Sequence, residues 1–149
     1  MKKPFLGLYA RAFCHATEDL DRVKAAVSNA VGEAEVTTKQ TVGHHGNPIT
    51  IVEAAVEDIG GITNFFGRLG EESLRTLLSS LESRVDQGCN LFVRVDKQRA
   101  YQGALELATG EDVISVRIRV AAFPARCEIA EDLVRGFVTE ELSRRCGKG

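Results

Sequence analysis

The chain has 149 residues, 44% of them apolar and 27% charged. That is enough for one self-sufficient core, and it excludes the disordered and fibrous classes. A net charge of −2 excludes a polycationic surface, so any nucleic-acid contact requires a local basic face.

Met1-Lys2-Lys3-Pro4 and the apolar run Phe5 to Ala10 resemble the start of a signal peptide, but Arg11 interrupts the run too early for one. No stretch approaches the ~20 apolar residues of a membrane span, so a cytoplasmic protein is expected. Residues 5–14 read as a strand, with Leu6, Leu8, Ala10, Ala12 and Cys14 on one face and Tyr9, Arg11 and Phe13 on the other. Thr17 is a candidate N-cap, followed by Glu18, Asp19 and Asp21. Leu20, Val23, Val27 and Val31 then form a helical stripe that Gly32 stops. Residues 34–42 and 49–57 read as strands joined by Gly43-His44-His45-Gly46-Asn47-Pro48. The loop length fits a wide hairpin, with a crossing to a non-neighbouring strand as the alternative.

Residues 59–69 are ambiguous, because Gly60, Gly61 and Gly67 weaken a helix that Phe65, Phe66 and Leu69 favour. Leu74, Leu77, Leu78, Leu81 and Val85 mark a clearer helix, with Glu71 and Glu72 in its first turn and Gly88 after it. A strand follows at 90–96, then a turn or helical bend from Lys97 to Gln102, then a strand at 103–108. The strongest strand is 113–123, where Ile114, Val116, Ile118 and Val120 alternate with Ser115, Arg117 and Arg119. Ile129, Leu133, Phe137 and Leu142 line a C-terminal helix. The whole chain, 1–149, reads as one α+β domain in which helices pack on one face of a mostly antiparallel sheet.

Cys14, Cys89, Cys127 and Cys146 contain no C-x-x-C pair, which argues against a zinc site of the usual spacing, and they read as reduced, mostly packed thiols. If the apolar positions face the helices, the opposite sheet face collects Arg11, Lys39, Arg94, Arg117 and Arg119 with Tyr9, Phe13 and Phe92. Guanidinium groups bind phosphates and aromatic rings stack on unpaired bases. An ordinary solvated face, its arginines paired with Glu35 and Glu53, is the alternative. Residues 89–126 hold six Lys or Arg against four Asp or Glu, so positive charge leans towards this region.

The 43–48 loop concentrates two imidazoles and a carboxamide. Adjacent histidines usually point apart, and a metal would need Asp96 or His15 as a third ligand. An RNA or phosphate contact through Asn47, loop amides and one imidazole, that of His44 or His45, is the stronger functional expectation, beside a loop that merely satisfies its own backbone. In the 96–103 run, Asp96 is expected to cap the bend and leave Lys97 and Arg99 outside, with Tyr101 beside them. No phosphate-binding glycine loop, nucleophile elbow or HExxH pattern occurs, so no catalytic residue and no cofactor or metal is expected.

His15-Ala16-Thr17-Glu18-Asp19, the GHHGNP loop, the DKQ-x-AY-x-G run at 96–103 and the segment Val116 to Ala125 occur in this order. With them the chain resembles, over nearly its whole length, the archaeal family of RNA-binding proteins described as exosome subunits. The resemblance implies a fold like that of the ribosomal protein that binds 5S ribosomal RNA, and a link to the archaeal exosome. It defines no catalytic residues. The expected function is therefore non-catalytic RNA binding in RNA processing or decay, through Arg11, His44, His45, Asn47, Arg94, Lys97, Arg99, Tyr101, Arg117 and Arg119. The expected partners are RNA and exosome or other RNA-processing proteins, with no membrane. A homodimer is left open by the sequence. The competing functions are a protein–protein assembly module and, third, a metal-dependent hydrolase at His44-His45.

Overall fold

A computed structural model describes residues 4–32, 34–43 and 46–146. Its centre is β1 (Phe5–His15), which pairs antiparallel with β3 (Pro48–Val56) on one side and β5 (Val113–Val120) on the other. β2 (Val36–Val42) and β4 (Asn90–Asp96) complete a five-stranded sheet in the order β2-β3-β1-β5-β4. The helices are α1 (Leu20–Val31), α2 (Ile59–Arg68), α3 (Glu71–Ser79), α4 (Leu81–Arg84), α5 (Lys97–Tyr101) and α6 (Cys127–Cys146). They cover one side of the sheet, giving the two-layer α+β arrangement expected from the residue pattern. No described helix is long and apolar enough to cross a membrane.

Period-two alternation decides which side is covered. Leu8, Ala10, Ala12 and Cys14 of β1, Leu91, Val93 and Val95 of β4, and Ile114, Val116, Ile118 and Val120 of β5 are all buried towards the helices. At the start of β1 the alternation breaks. The register shifts between Phe5 and Gly7, so Phe5 is buried while Leu6, expected inside, is 49% exposed. Phe5 stacks on Phe66 of α2 at 4.8 Å and meets Phe137 of α6 edge-on at 4.9 Å. These rings join the first strand to the last helix across the core.

Several local expectations change for identifiable reasons. Asp19, not Thr17, caps α1, accepting the Asp21 N–H at 3.0 Å. Residues 59–68 are helical despite their glycines: Asp58 accepts the Gly61 N–H at 2.9 Å, and a Cβ at Gly61 would meet Val56 Cγ1 at 2.8 Å. At the other end Arg145 donates to the carbonyls of Phe66, Gly67 and Leu69 at 3.2, 2.7 and 2.7 Å. The helix predicted over 71–85 breaks at Ser80, where the Ser79 and Ser80 hydroxyls donate to the Thr76 carbonyl. Residues 103–108 are not a sheet strand: Gly103 has φ +93°, and isolated bridges join Leu105 to Leu69 and Leu107 to Val95. The last strand ends at Val120 rather than 123. Val42 lies opposite Pro48, so the 43–47 loop is a hairpin and not a crossing.

At the end of the sheet where β1, β2 and β4 finish, Lys97 ties three segments together. Its side chain is 5% exposed, and its Nζ lies 2.8 Å from Glu18 and 3.2 Å from Asp112 while donating to the Phe13 carbonyl at 3.0 Å. Burial pushes the Glu18 carboxyl up, but the Lys97 hydrogen bond and the His15 N–H outweigh it and hold Glu18 below its ordinary range. A depressed carboxylate stabilises the fold above its unfolded-state pKa and loses that contribution as pH falls through the folded value. Lys97→Met should lower stability by about 2–3 kcal/mol in urea unfolding at neutral pH, short of a fully enclosed pair because both carboxylates reach solvent. The same variant should also lose less of its stability in acid than the parent, since Glu18 is no longer held down.

Candidate nucleic-acid interface

With the helices on one side, the other side of the sheet is open, and strand register arranges its side chains in rows. Arg11 of β1 lies opposite Ser115 of β5, which lies opposite Arg94 of β4. The next row is Tyr9, Arg117 and Phe92, and the one beyond it Gly7, Arg119 and Asn90. Neighbouring strands are about 4.8 Å apart, so the short side chain of Ser115 leaves a gap between two arginines. The gap is part of a concavity of about 310 Å³ lined by Tyr9, Arg11, Phe92, Arg94, Ser115 and Arg117.

Aromatic rings hold two of the cations in place. The Arg117 guanidinium lies 5.3 Å from the Tyr9 ring centre, and that of Arg11 lies 5.3 Å from Phe13. Phe92, on the edge strand β4, is 42% exposed, and Phe13, near the end of β1, is 41% exposed. The Tyr9 hydroxyl donates to Glu53, which also pairs with Lys39 at 3.5 Å. Burial, and then the Glu53 hydrogen bond and charge, push the Tyr9 phenol above its ordinary range. The Tyr9 hydrogen bond is the main reason that Glu53 titrates low.

Lys39 and Glu53 form an ion pair on this face, and ion pairs elsewhere engage Arg75, Lys97, Arg99, Arg135, Arg144 and Arg145. Among the described residues, Arg11, Arg94, Arg117 and Arg119 have no carboxylate within 4.0 Å. Glu53, which was expected to pair with the arginines, is taken by Tyr9 and Lys39. In the register no arginine stands directly opposite another: their cross-strand neighbours are Ser115, Tyr9, Phe92, Gly7 and Asn90 and, on the β3 side of Arg11, Glu53.

The remaining candidates lie elsewhere. Lys97 was expected outside but is buried, because two carboxylates and a carbonyl enclose its ammonium. Arg99 is exposed but paired with Glu106 at 3.3 Å. Tyr101 lies on the helix side, 4.5 Å below the Arg22 guanidinium, and Asn29 of α1 donates to the Ala100 and Tyr101 carbonyls. Asp96 caps α5 through the Arg99 N–H. Asn47 is exposed in the hairpin, where its carbonyl accepts the Gly43 N–H at 2.7 Å. His44 and His45 lie outside the described residues. The hairpin and α5 share one end of the sheet but flank opposite edges, with roughly 14 Å of sheet between β3 and β4. Among the described residues no group of three His, Cys, Asp or Glu is placed to hold a metal ion. Cys14, Cys89 and Cys127 are free thiols.

A family model described as RNA binding matches residues 8–120. The chain belongs to this RNA-binding family. The matched span runs from β1 through β5, so it contains all five strands and every arginine of the open face, and it stops before α6. Within the family, the RNA-binding protein PAB1135 of Pyrococcus abyssi is 37% identical over 142 residues, covering 88% of this chain and 92% of the relative. Two solved structures share the fold. Mth689, a DUF54 protein from Methanothermobacter thermautotrophicus, superposes with a TM-score of 0.81 at 30% identity, covering 91% of this chain and 98% of its own. AF2318 from Archaeglobus fulgidus, also DUF54, superposes with a TM-score of 0.79 at 32% identity, covering 89% and 99%.

The Tyr9–Glu53 contact can be read directly in solution. Tyr9 and Tyr101 are the two tyrosines of the chain, so a Tyr101→Phe background isolates the Tyr9 titration. Glu53→Gln should then bring the phenol down towards its ordinary range, followed by tyrosinate absorbance. An unmoved titration would mean that the two groups are not bonded in solution.

Proposed function

We propose that this is a non-catalytic RNA-binding protein and that its open sheet face is the binding surface. The observation that carries this is the clustering of Arg11, Arg94, Arg117 and Arg119 with aromatic rings on one open sheet face, none of the four within 4.0 Å of a carboxylate among the described residues. Phosphates would supply the missing anions. The half-buried ring of Tyr9 and the exposed rings of Phe13 and Phe92 among the guanidiniums suit unpaired bases, which stack on aromatic side chains whatever their identity. Family membership and the name of the Pyrococcus relative support the same function.

The biological setting belongs to this proposal as well: a cytoplasmic protein of archaeal type, working beside the exosome in RNA processing or decay. The order of its sequence motifs supports that setting, as does their resemblance to proteins described as exosome subunits, and the same motifs suggest a likeness to the 5S-rRNA-binding ribosomal protein. A second reading, an assembly module, is favoured by β2. Its outer edge is unpaired among the described residues, and Val42 is 70% exposed. Co-purification with exosome subunits by a variant that has lost RNA binding would favour that module, and a self-association through β2 would make it a homodimer.

Neutralising about four phosphates of single-stranded RNA gives a log–log salt slope near −3. Titration of labelled RNA at rising salt should show it, and Arg117→Ala with Arg119→Ala should bring the slope to about −1.4. Phe92→Ala should weaken binding by about 1–3 kcal/mol with the slope unchanged, since it removes stacking and no charge. Absence of binding at low salt would sink the proposal.

A further inference from the structure

Arg84 was not among the residues singled out from the sequence, because it reads there as the polar side of an amphipathic helix. In the structure it is the last residue of α4, immediately before Val85, which bridges antiparallel to Leu91 on the outer edge of β4. Val85 and Leu91 are buried towards the core. That bridge sets Arg84, the residue before Val85, beside Phe92, the residue after Leu91, at the edge of the row of Tyr9, Arg117 and Phe92. The next β4 residue on that face is Arg94.

Three features set Arg84 apart from an ordinary surface cation. It is half-buried, and its Nε donates to Ser80 Oγ at 2.7 Å, which fixes the guanidinium while its terminal nitrogens make no hydrogen bond among the described residues. No carboxylate among the described residues lies within ion-pair distance of it. Asp86, the nearest acid in the turn, is occupied by the Gly88 and Asn90 N–H groups, each at 2.9 Å. Burial, and then the positive charge of Arg94, push the Arg84 guanidinium down from its usual range. Two guanidiniums near enough to repel each other favour a shared anion, and a planar fork bonded to phosphate oxygens relieves that repulsion.

We propose that Arg84 and Arg94 form a phosphate clamp at the β4 edge, gripping the backbone of single-stranded RNA where the strand leaves the sheet face. The clamp rests on the reading of the open face as an RNA-binding surface and gives it an exit. Phe92, between the two arginines in the row pattern, would stack the base next to the clamped phosphate.

The test is fluorescence anisotropy of a short single-stranded oligoribonucleotide against the full chain at rising potassium chloride, with thermal melting of each variant. Arg84→Met should lower the magnitude of the salt slope by about 0.7, and Arg84→Met with Arg94→Met by about 1.4. Arg84→Lys should keep the slope and lose affinity, because charge remains while the fork is gone. The melting temperature of Arg84→Met should equal or exceed that of the parent, since a repelled, partly desolvated charge has been removed. A parental slope for Arg84→Met, with a flattened one for Arg117→Ala and Arg119→Ala, would overturn the clamp and leave the face intact. A marked drop in melting temperature would overturn it too, by making Arg84 a structural residue. No RNA binding by the parent would overturn both, and tight binding of inorganic phosphate alone would then assign the arginines to a small anion.

Discussion

Alternation along β1 is the constraint on which the rest of the structure depends. β1 is the central strand, bonded on both edges, so its pleat sets the faces of β3 and β5 directly and those of β2 and β4 through them. Leu8, Ala10, Ala12 and Cys14 face the helices, which forces Tyr9, Arg11 and Phe13 to the other side. A slip of one residue would bury Arg11 and expose the core of the strand. The bulge between Phe5 and Gly7 adjusts this pattern at one place, letting Phe5 join Phe66 and Phe137.

One covered face and one open face follow from that alternation, and so does the division of charges. The cations that the fold uses are anchored: Lys97 closes the rim where β1, α1 and the start of β5 meet, and Arg145 holds α6 against the carbonyl end of α2. Glu141, buried yet bonded to Arg144 and Arg145, is held below its ordinary range once those bonds outweigh the effect of burial. On the open face the order is reversed. Aromatic rings hold Arg11 and Arg117, and a serine hydroxyl holds Arg84 at the edge, which orients a guanidinium without neutralising it. A surface of clustered arginines without ion-pair partners suits a polyanion.

Much of this was legible in the residues. Period-two runs at 5–14, 90–96 and 113–123 identified three strands and put Arg11, Arg94, Arg117 and Arg119 on one face, because pleat geometry depends only on sequence spacing. The less legible parts depended on partners remote in sequence. Lys97 looked like a surface cation because Glu18 and Asp112 are far from it along the chain. Tyr101 looked like an RNA contact at one edge of the basic face, beside Lys97 and Arg99, but Asn29 bonds α5 to the helix side. Arg84 went unnoticed because its proximity to Arg94 arises from a bridge between Val85 and Leu91.

The sequence by itself determined the local periods, the α+β class and the side of each strand on which every arginine lies, since these follow from backbone geometry and the burial of apolar stripes. Only the tertiary structure decided strand order, and with it which arginines stand next to each other and which have no carboxylate in reach. Coulombic pairing acts through space over a few ångströms and carries no mark of separation along the chain.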